Sequence, residues 1–411
     1  MRVDPGALSA FAVEDRSVQV SWGWLPAPGL TVEVGGSEVA LPAASPAYVR
    51  HQGRLSRQVG RGPVGPGAVT VDGLEASTAY DVTVHGPGRP RRRIARVTTL
   101  APPPGRLTAR FATINDTHLG ERGFGGLGTM TDVVPLPPDL DPYPERCARA
   151  AIAEAAEWGS ELILAKGDLT RDSEPVEFHE VGRMLADAPV PVGVILGNHD
   201  VRHRIDGTAI LGRYGIAVAG TATAIDLPGL RIILAHTPVA SERRGRLGKK
   251  QLGRIAALAA GAPSGRGCPP DGSSAPDGNR PGPVVVAVHH APQQMPVATH
   301  YPPGLYAAES RRFVAALNEA NPTSMIIAGH THRNRCYWVD GVMVSEVGST
   351  KDYPGVWAGY AVYEGGIRQV VRRIASPSAM AWTEATRQAL FGLWGLWSSS
   401  SMDQRCWVRA W

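Results

Sequence analysis

The sequence predicts a layered α/β protein preceded by a small all-β domain, and three observations carry the prediction. Short alternating apolar segments fill residues 1 to about 100. A Pro-rich stretch, Ala101 to Gly105, interrupts them. From Leu107 onward, apolar β runs alternate with amphipathic helical segments, the pattern that builds sheets covered by helices.

Bulk properties set the frame. At 411 residues the chain exceeds one ordinary core, so a large domain and a smaller one are expected. A hydrophobic share of 43% against 19% charged residues is that of a globular chain able to bury such cores. Forty-two Lys and Arg against 37 Asp and Glu leave +5, with a pI near 9.1. The densest basic run, "RPRRR" from Arg89 to Arg93, reads as an exposed hairpin end. A nucleic-acid partner is therefore not expected. Cys147, Cys268, Cys336 and Cys406 lie far apart without a CxxC pair, which argues against a disulfide framework. No apolar run approaches the roughly 18 residues of a membrane span. The first residues also lack the apolar stretch of a signal peptide. A soluble cytoplasmic protein is the expectation.

Taken in order, "SVQVSWGWL", "LTVEVGG", "AVTVDGL", "AYDVTVHG" and "RRIARVTTL" are strands separated by Gly, Pro and Ser turns. "APPPG" is a linker over 101–106. Over 107–375, "RLTARFATIND" is a strand, followed by a Gly-rich loop and the helix "PERCARAAIAEAAEWGS". Strand "ELILAKGD", helix "SEPVEFHEVGRMLADA" and strand "PVGVILGNHD" follow. "RIILAHT" and "PVVVAVHH" are further strands, with "KKQLGRIAALAA" helical between them and a polar loop over 262–282. Helix "AESRRFVAALNEA" and strand "SMIIAGHTH" precede four shorter strands, "CYWVDG", "VMVSEVG", "WAGYAVYE" and "IRQVVRRIA". Residues 376–411 hold a Trp-rich segment including "LFGLWGLW", read as a C-terminal helix and tail packing on the domain rather than as a membrane-surface anchor.

Five strand ends carry the chemistry: "NDTH" (Asp116, His118), "KGD" (Asp168), "GNHD" (Asn198, His199), "VHH" (His289, His290) and "GHTH" (His330, His332). Oxygen and imidazole donors of this kind suit divalent Zn, Mn or Fe. In an extended chain, Asp-x-His and His-x-His would put both donors on one side. Gly167, Gly197 and Gly329 let the backbone turn closely as it leaves the sheet. Singly each motif is weak, since a GD pair is usually a turn and an isolated HxH is usually incidental. Together they supply enough donors for two ions, with a carboxylate as the natural bridge.

The series D-x-H, GD, GNHD, H and GHTH resembles the calcineurin-like metallophosphoesterase superfamily, over about Leu107 to Ala375. The resemblance implies two mixed β-sheets packed together and flanked by helices, an αββα arrangement. It implies phosphoester hydrolysis at a dinuclear metal centre (Fe, Mn or Zn) by a metal-activated hydroxide. By the same resemblance Asp116, His118 and His332 hold the first ion, Asp168 bridges, and Asn198, His289 and His330 complete the second. His199 would assist the leaving oxygen, with Asp200 orienting it. Ala291 departs from the family's His-His-Pro-Pro, which leaves His290 as an alternative ligand to His289. The Asp-Thr-His opening and the absence of Tyr in "GDLTRD" look closer to the cyclic-nucleotide and glycerophosphodiester branch than to purple acid phosphatases. "GLEASTAY", with Leu74 and Tyr80, resembles the tyrosine corner of immunoglobulin-like and fibronectin type III sandwiches, and Trp22 suits their core Trp.

The expected activity is therefore hydrolysis of a small-molecule phosphodiester. A broad phosphomonoesterase or protein phosphatase, or a non-catalytic metal-binding scaffold, are the alternatives. Loops 120–144 and 293–304 flank the metal edge, and in the second His300 and Tyr301, with His290 beside it, are candidate substrate contacts.

Overall fold

A computed structural model describes residues 8–41, 64–124, 134–135, 142–203, 205–263, 281–293, 295, 301–387 and 389–411. Among the described residues, seven strands come first: β1 (Ser9–Val13), β2 (Val18–Trp22), β3 (Thr31–Val34), β4 (Ser37–Ala40), β5 (Gly67–Val71), β6 (Ala79–Gly86) and β7 (Arg89–Thr98). They form two antiparallel sheets, β1-β2-β5 and β4-β3-β6-β7. The inward residues of both, Val20, Trp22, Val32, Val34, Val71 and Val82 among them, share one core. The Tyr80 hydroxyl accepts a hydrogen bond from the Glu75 backbone N–H at 3.0 Å, beside buried Leu74. Arg89 to Arg93 are exposed on the hairpin arm.

The remaining strands are β8 (Leu107–Ile114), the short pair β9 (Gly123–Phe124) and β10 (Val134–Pro135), β11 (Leu162–Lys166) and β12 (Val192–Ile195). Then come β13 (Ala222–Leu227), β14 (Leu230–Ala235), β15 (Val284–Ala287), β16 (Met325–Ala328), β17 (Arg335–Val339) and β18 (Val342–Glu346). β19 (Val356–Tyr363), β20 (Gly366–Arg373) and β21 (Cys406–Ala410) complete the set. The helices are α1 (Tyr143–Glu157), α2 (Pro175–Ala186), α3 (Gly207–Gly212), α4 (Lys249–Ala260), α5 (Ala307–Ala320), α6 (Pro377–Arg387), α7 (Leu393–Trp397) and α8 (Met402–Arg405).

Two six-stranded sheets result, β12-β11-β8-β19-β20-β21 and β13-β14-β15-β16-β18-β17. Both are mixed: β8, β11 and β12 run parallel in one, and β14, β15, β16 and β18 in the other. Near-continuous apolar strands such as "LILAK" and "VVVA" are buried on both faces, as parallel strands between layers must be. Phe111, Leu164, Ile232, Val285 and Ile327 fill the space between the sheets. Residues of α1, α2 and α6 cover the outer face of the first sheet. Residues of α4 and α5 cover the second. This is the expected mixed α/β, αββα arrangement.

The C-terminal segment differs from the simple helix and tail expected. "CWVRA" forms β21 and pairs antiparallel with β20, because its alternating apolar residues satisfy an otherwise open edge. Trp407 enters the core between the sheets, and Trp382 of α6 stacks on Tyr143 at 3.7 Å.

The N-terminal sandwich meets the larger layer through buried charge. Glu14 accepts hydrogen bonds from Arg368 (2.8 Å), Trp158 (3.2 Å) and Arg372. Gln19 exchanges two hydrogen bonds with the Arg373 backbone, each 2.9 Å. The charges of "IRQVVRR", polar in the sequence, are buried here because Glu14 and Asp15 neutralise Arg368 and Arg372, and Glu384 of α6 neutralises Arg373.

Candidate metal centre

Every donor identified in the sequence lies just beyond the C-terminal end of a parallel strand: β8, β11 and β12 in one sheet, β15 and β16 in the other. Crevices at that edge are where open α/β sheets bind ligands. The loops are tied to one another by backbone bonds, Asp116 N–H to Gly167 O and His118 N–H to Asp168 O, each 3.0 Å. A further bond runs from Gly329 N–H to His289 O at 3.1 Å.

The pairing of alternate donors does not come from the pleat of an extended chain, and that expectation is corrected. Asp116, His118, Asp168, His330 and His332 have φ of 54°, 47°, 49°, 72° and 52°. The backbone has left the strand and coils left-handed at these residues. Asp and His tolerate that region better than most side chains, and such strain gathers at functional sites. The glycines also divide by reason. Gly167 sits at φ +86° and also lacks room for a Cβ, which would lie 2.6 Å from the Gly197 nitrogen, whereas Gly197 is needed for space alone, since a Cβ there would lie 2.2 Å from the Asp168 backbone nitrogen.

Four overlapping groups of donor atoms, within each of which the atoms lie no more than 4.8 Å apart, converge here: Asp116–His118–His332, Asp116–Asp168–His289, His118–Asp168–His199 and His289–His290–His330. Asp168 is central. Its oxygens lie 3.3 Å from His289 Nε2 and 3.7 Å from His118 Nε2. His332 Nε2 is 3.5 Å from Asp116 Oδ1.

Hydrogen bonds fix which nitrogen is free in four of these imidazoles. His289 Nδ1 donates to Lys166 O (2.8 Å), which leaves Nε2 bare toward Asp168. His332 Nδ1 donates to the Asp352 carboxylate (2.7 Å), leaving Nε2 bare toward Asp116. His330 Nε2 donates to Pro303 O (3.2 Å), leaving Nδ1. His290 Nδ1 pairs with the Thr237 hydroxyl (2.8 Å), leaving Nε2. His118 Nε2, Asn198 Oδ1, His289 Nε2, His290 Nε2 and His330 Nδ1 are buried without a hydrogen-bond partner among the described residues. So many orphaned lone pairs brought so close together are costly unless a cation receives them. The donor set thus fits divalent ions. Both His289 and His290 remain in reach: the first faces Asp168, the second His330 at 4.5 Å between rings.

Electrostatics divide the imidazoles: burial opposes charge on all of them, but Asp168 lifts His289 to about 9, and Asp352 and Asp116 lift His332 above its ordinary value. Burial alone would raise the Asp168 carboxyl, but the imidazoles of His289 and His199 hold it well below the usual range. Burial holds His118, His290 and His330 well below theirs, so they stand as neutral donors. Asp200 is pushed up to about 6, by burial and by Asp168 nearby.

His199 and Asp200 do not pair as expected. The His199 ring donates from Nδ1 to Arg171 O (2.6 Å) and accepts at Nε2 from Arg202 (2.8 Å), whose other nitrogen bonds Asp172 at 2.6 Å. Asp200 is occupied by backbone amides of Gly197, Leu169 and Thr170 and by the Thr170 hydroxyl. Those bonds, at 2.8 to 3.1 Å, make it a clamp on the loops that carry Asp168 and Asn198. The expectation that it orients His199 is corrected, because its oxygens have no capacity left for the ring.

The structure also reveals residues the sequence reading missed. Asp352 follows β18, as the other donors follow their strands, and "STKDYP" after "VMVSEVG" was the available signal. Lys351 bridges Asp352 (3.5 Å) and Glu121 (2.8 Å). Glu121 also accepts from the Tyr143 hydroxyl (2.6 Å). Lys166, fully buried and pushed down to about 7 by desolvation, donates to Ala328 O at 2.7 Å and joins the two sheets beneath the site. Trp394 meets His332 at 5.9 Å. Tyr301 is exposed and accepts from Arg243. His300, most of loop 120–144 and most of the polar loop 262–282 lie outside the described residues.

Layered sheets ending in a carboxylate and imidazole cluster define a metallohydrolase-type centre. A profile of the calcineurin-like phosphoesterases matches residues 109–334, and the chain belongs to that family. Among solved structures it is similar to the purple acid phosphatase PPD1 of yellow lupin (Lupinus luteus): 14% identity, 91% of this chain and 73% of that one, TM-score 0.44. PhoD shares 11% identity over 89% of this chain and 85% of its own, TM-score 0.40. A novel archaeal phosphodiesterase shares 13% over 64% of this chain and 99% of its own, TM-score 0.31. No curated protein matches the chain by sequence.

Proposed function

We propose that this phosphoesterase hydrolyses small-molecule phosphodiesters at a two-metal centre bridged by Asp168. The observation that carries the reading is the position of Asp168 in two donor groups at once, with unpartnered imidazole nitrogens on either side of it. Asp116, His118 and His332 would hold one ion; Asn198, His289 and His330 would hold the other. His290, with its free Nε2 in the second group, is the alternative donor there. Bound divalent ions would neutralise phosphoryl charge and acidify a water.

The chain's own residues do the rest. The Asp352 carboxylate, the Lys166 carbonyl and the Pro303 carbonyl set the imidazole tautomers. The Asp200 clamp holds the loop of Asp168 against that of Asn198. His199, backed by the Arg202 guanidinium, faces the His118 ring at 4.4 Å and is the group proposed to assist a departing alkoxide. The Asp-Thr-His motif supports a diester over a monoester substrate. Residues 1–100 are proposed as a fibronectin type III-like domain, supported by the Tyr80–Glu75 bond. Free thiols at Cys147, Cys336 and Cys406 support a cytoplasmic setting, and no described helix is long and apolar enough to cross a membrane.

The test is Asp168→Asn, which keeps shape and removes the bridging charge. Metal content and turnover of bis-p-nitrophenyl phosphate, relative to p-nitrophenyl phosphate, should both fall. Two bound metals with full activity in that variant would refute the bridge. A wild-type preference for the monoester would refute the diester assignment.

A further inference from the structure

Resting on the phosphoesterase reading above, we infer that α7 and the turn before it bind an apolar chain of the substrate, so that the enzyme's substrate is an amphiphilic phosphodiester. The turn Leu390–Gly392 is left-handed at three consecutive residues, with φ of 54°, 59° and 85°. It presents Phe391 wholly to solvent, at 100% exposure. Leu393 and Leu396, one helical turn apart, are 61% and 74% exposed beside it. Large apolar side chains gathered so far into water mark a binding surface rather than an accident of folding.

The other face of the same short helix says what that surface serves. Trp394 sets its edge against His332 (5.9 Å) and against Phe124 (5.1 Å). Trp397, one turn on, lies under the guanidinium of Arg333 at 4.2 Å. Arg333 follows His332 in the chain, and no carboxylate pairs with it in an ion pair among the described residues. Its Nε, like Trp394 Nε1, is buried without a partner there. The helix is therefore pinned to the rim of the metal centre by its aromatic face, which also carries the Arg333 guanidinium on Trp397. A phosphate held at His332 would lie on the side of the centre that Trp394 lines. A chain attached to it that leaves on this side runs across Trp394 and onto Leu393, Leu396 and Phe391. An anionic head with an apolar tail matches that sequence of surfaces; a polar head on both sides of the phosphorus does not.

The experiment compares ethyl p-nitrophenyl phosphate with decyl p-nitrophenyl phosphate, the latter below its micelle concentration, on the metal-loaded full chain. In each, water adds to phosphorus, the P–O bond to nitrophenolate breaks, and the alkyl phosphate remains. The leaving group is shared, so the ratio of kcat/KM reads the chain alone. Burial of the chain on three apolar side chains predicts a ratio of about ten or more, expressed in KM. In Phe391→Ser/Leu393→Ser/Leu396→Ser the ratio should collapse toward one. Leu396→Lys, a single exposed change, should lower it part of the way. A wild-type ratio near one, or a ratio untouched by either variant, overturns the inference while leaving the phosphoesterase reading intact. A preference that appears only in micelles or phosphatidylcholine vesicles also overturns it, in favour of docking to a lipid surface. Failure to cleave either ester overturns both.

Discussion

The carboxylate behind His332 offers a sharp perturbation. Asp352 is fully buried, and His332 Nδ1 donates to it at 2.7 Å, which presents Nε2 to the Asp116 side of the centre. Burial tends to raise Asp352, but His332 and Lys351 outweigh it and hold the carboxyl below its ordinary range, so it is ionised. Asp352→Asn keeps an acceptor for Nδ1–H and removes the charge. Asp352→Ala removes both and leaves a buried N–H orphaned, at a cost of about 1–3 kcal/mol. Loss of such a partner typically lowers metal affinity about 10- to 100-fold. The structure confines the loss to one ion, because His289 and His330 take their orientation from Lys166 and Pro303 instead. Titration of the metal-free protein with Zn or Mn against a fluorescent chelator should resolve a tight and a weak site. In Asp352→Ala the site of Asp116, His118 and His332 should weaken by the larger factor, and in Asp352→Asn by the smaller, with the other unchanged. Wild-type affinity at both sites in Asp352→Ala would refute the claim that this carboxylate sets the imidazole.

His199→Ala should lower kcat by about 10²–10⁴ with both metals retained, most for poor leaving groups; loss of one metal would make His199 a ligand instead. His199 lies below the ordinary imidazole range, first through burial and then through the Arg202 charge, which Asp168 opposes. Arg202→Met should therefore raise it and move the limb of the pH–rate profile that falls with rising pH toward higher pH, and an unmoved limb would show that Arg202 does not tune this ring. Glu14→Gln, which leaves Arg372 without its carboxylate, should destabilise the chain by about 3–5 kcal/mol in urea melts, as breaking a buried pair does. Burial pushes Glu14 up, but Arg372 and Arg368 bring it net below 4.5, so the difference from wild type should be complete above pH 4.5 and vanish as pH falls through the lower folded value; a difference independent of pH would refute the pairing as its source.

The layered fold and the donor set were legible because both depend on local pattern. "LILAKGD" and "VVVAVHH" announce a strand buried on both faces and then a polar residue at its end, and the sheet gathers those ends without further instruction. The partners of the donors were not legible. Asp352 and Glu121 reach the site from positions 20 residues after His332 and three after His118, and nothing in periodicity distinguishes them from surface carboxylates. The pairing of His199 was misread for a similar reason: adjacency in "NHD" puts Asp200 next in the chain, yet a 3-10 turn over His199–Val201 sends the carboxylate back to the amides of Gly197 and Thr170. The left-handed donors escaped because strand logic was extended one residue too far.

That missed layer also links the ends of the molecule to its centre. Trp382 stacks on Tyr143, whose hydroxyl bonds Glu121; Glu121 pairs with Lys351, Lys351 with Asp352, and Asp352 with His332. Tyr143, Lys351 and Asp352 are buried and Glu121 and His332 nearly so, and each charged group has an opposite partner along the line, so removing one leaves a charge or donor stranded in an apolar setting. A tryptophan far from the donors in sequence thereby helps fix the angle of an imidazole, and the C-terminal segment that carries it goes on to place Trp394 against the same ring. Residues 377–387 and 389–397 are thus part of the wall of the centre, with their aromatic content held inward at Trp382 and Trp394 while Phe391 and two leucines are left facing out.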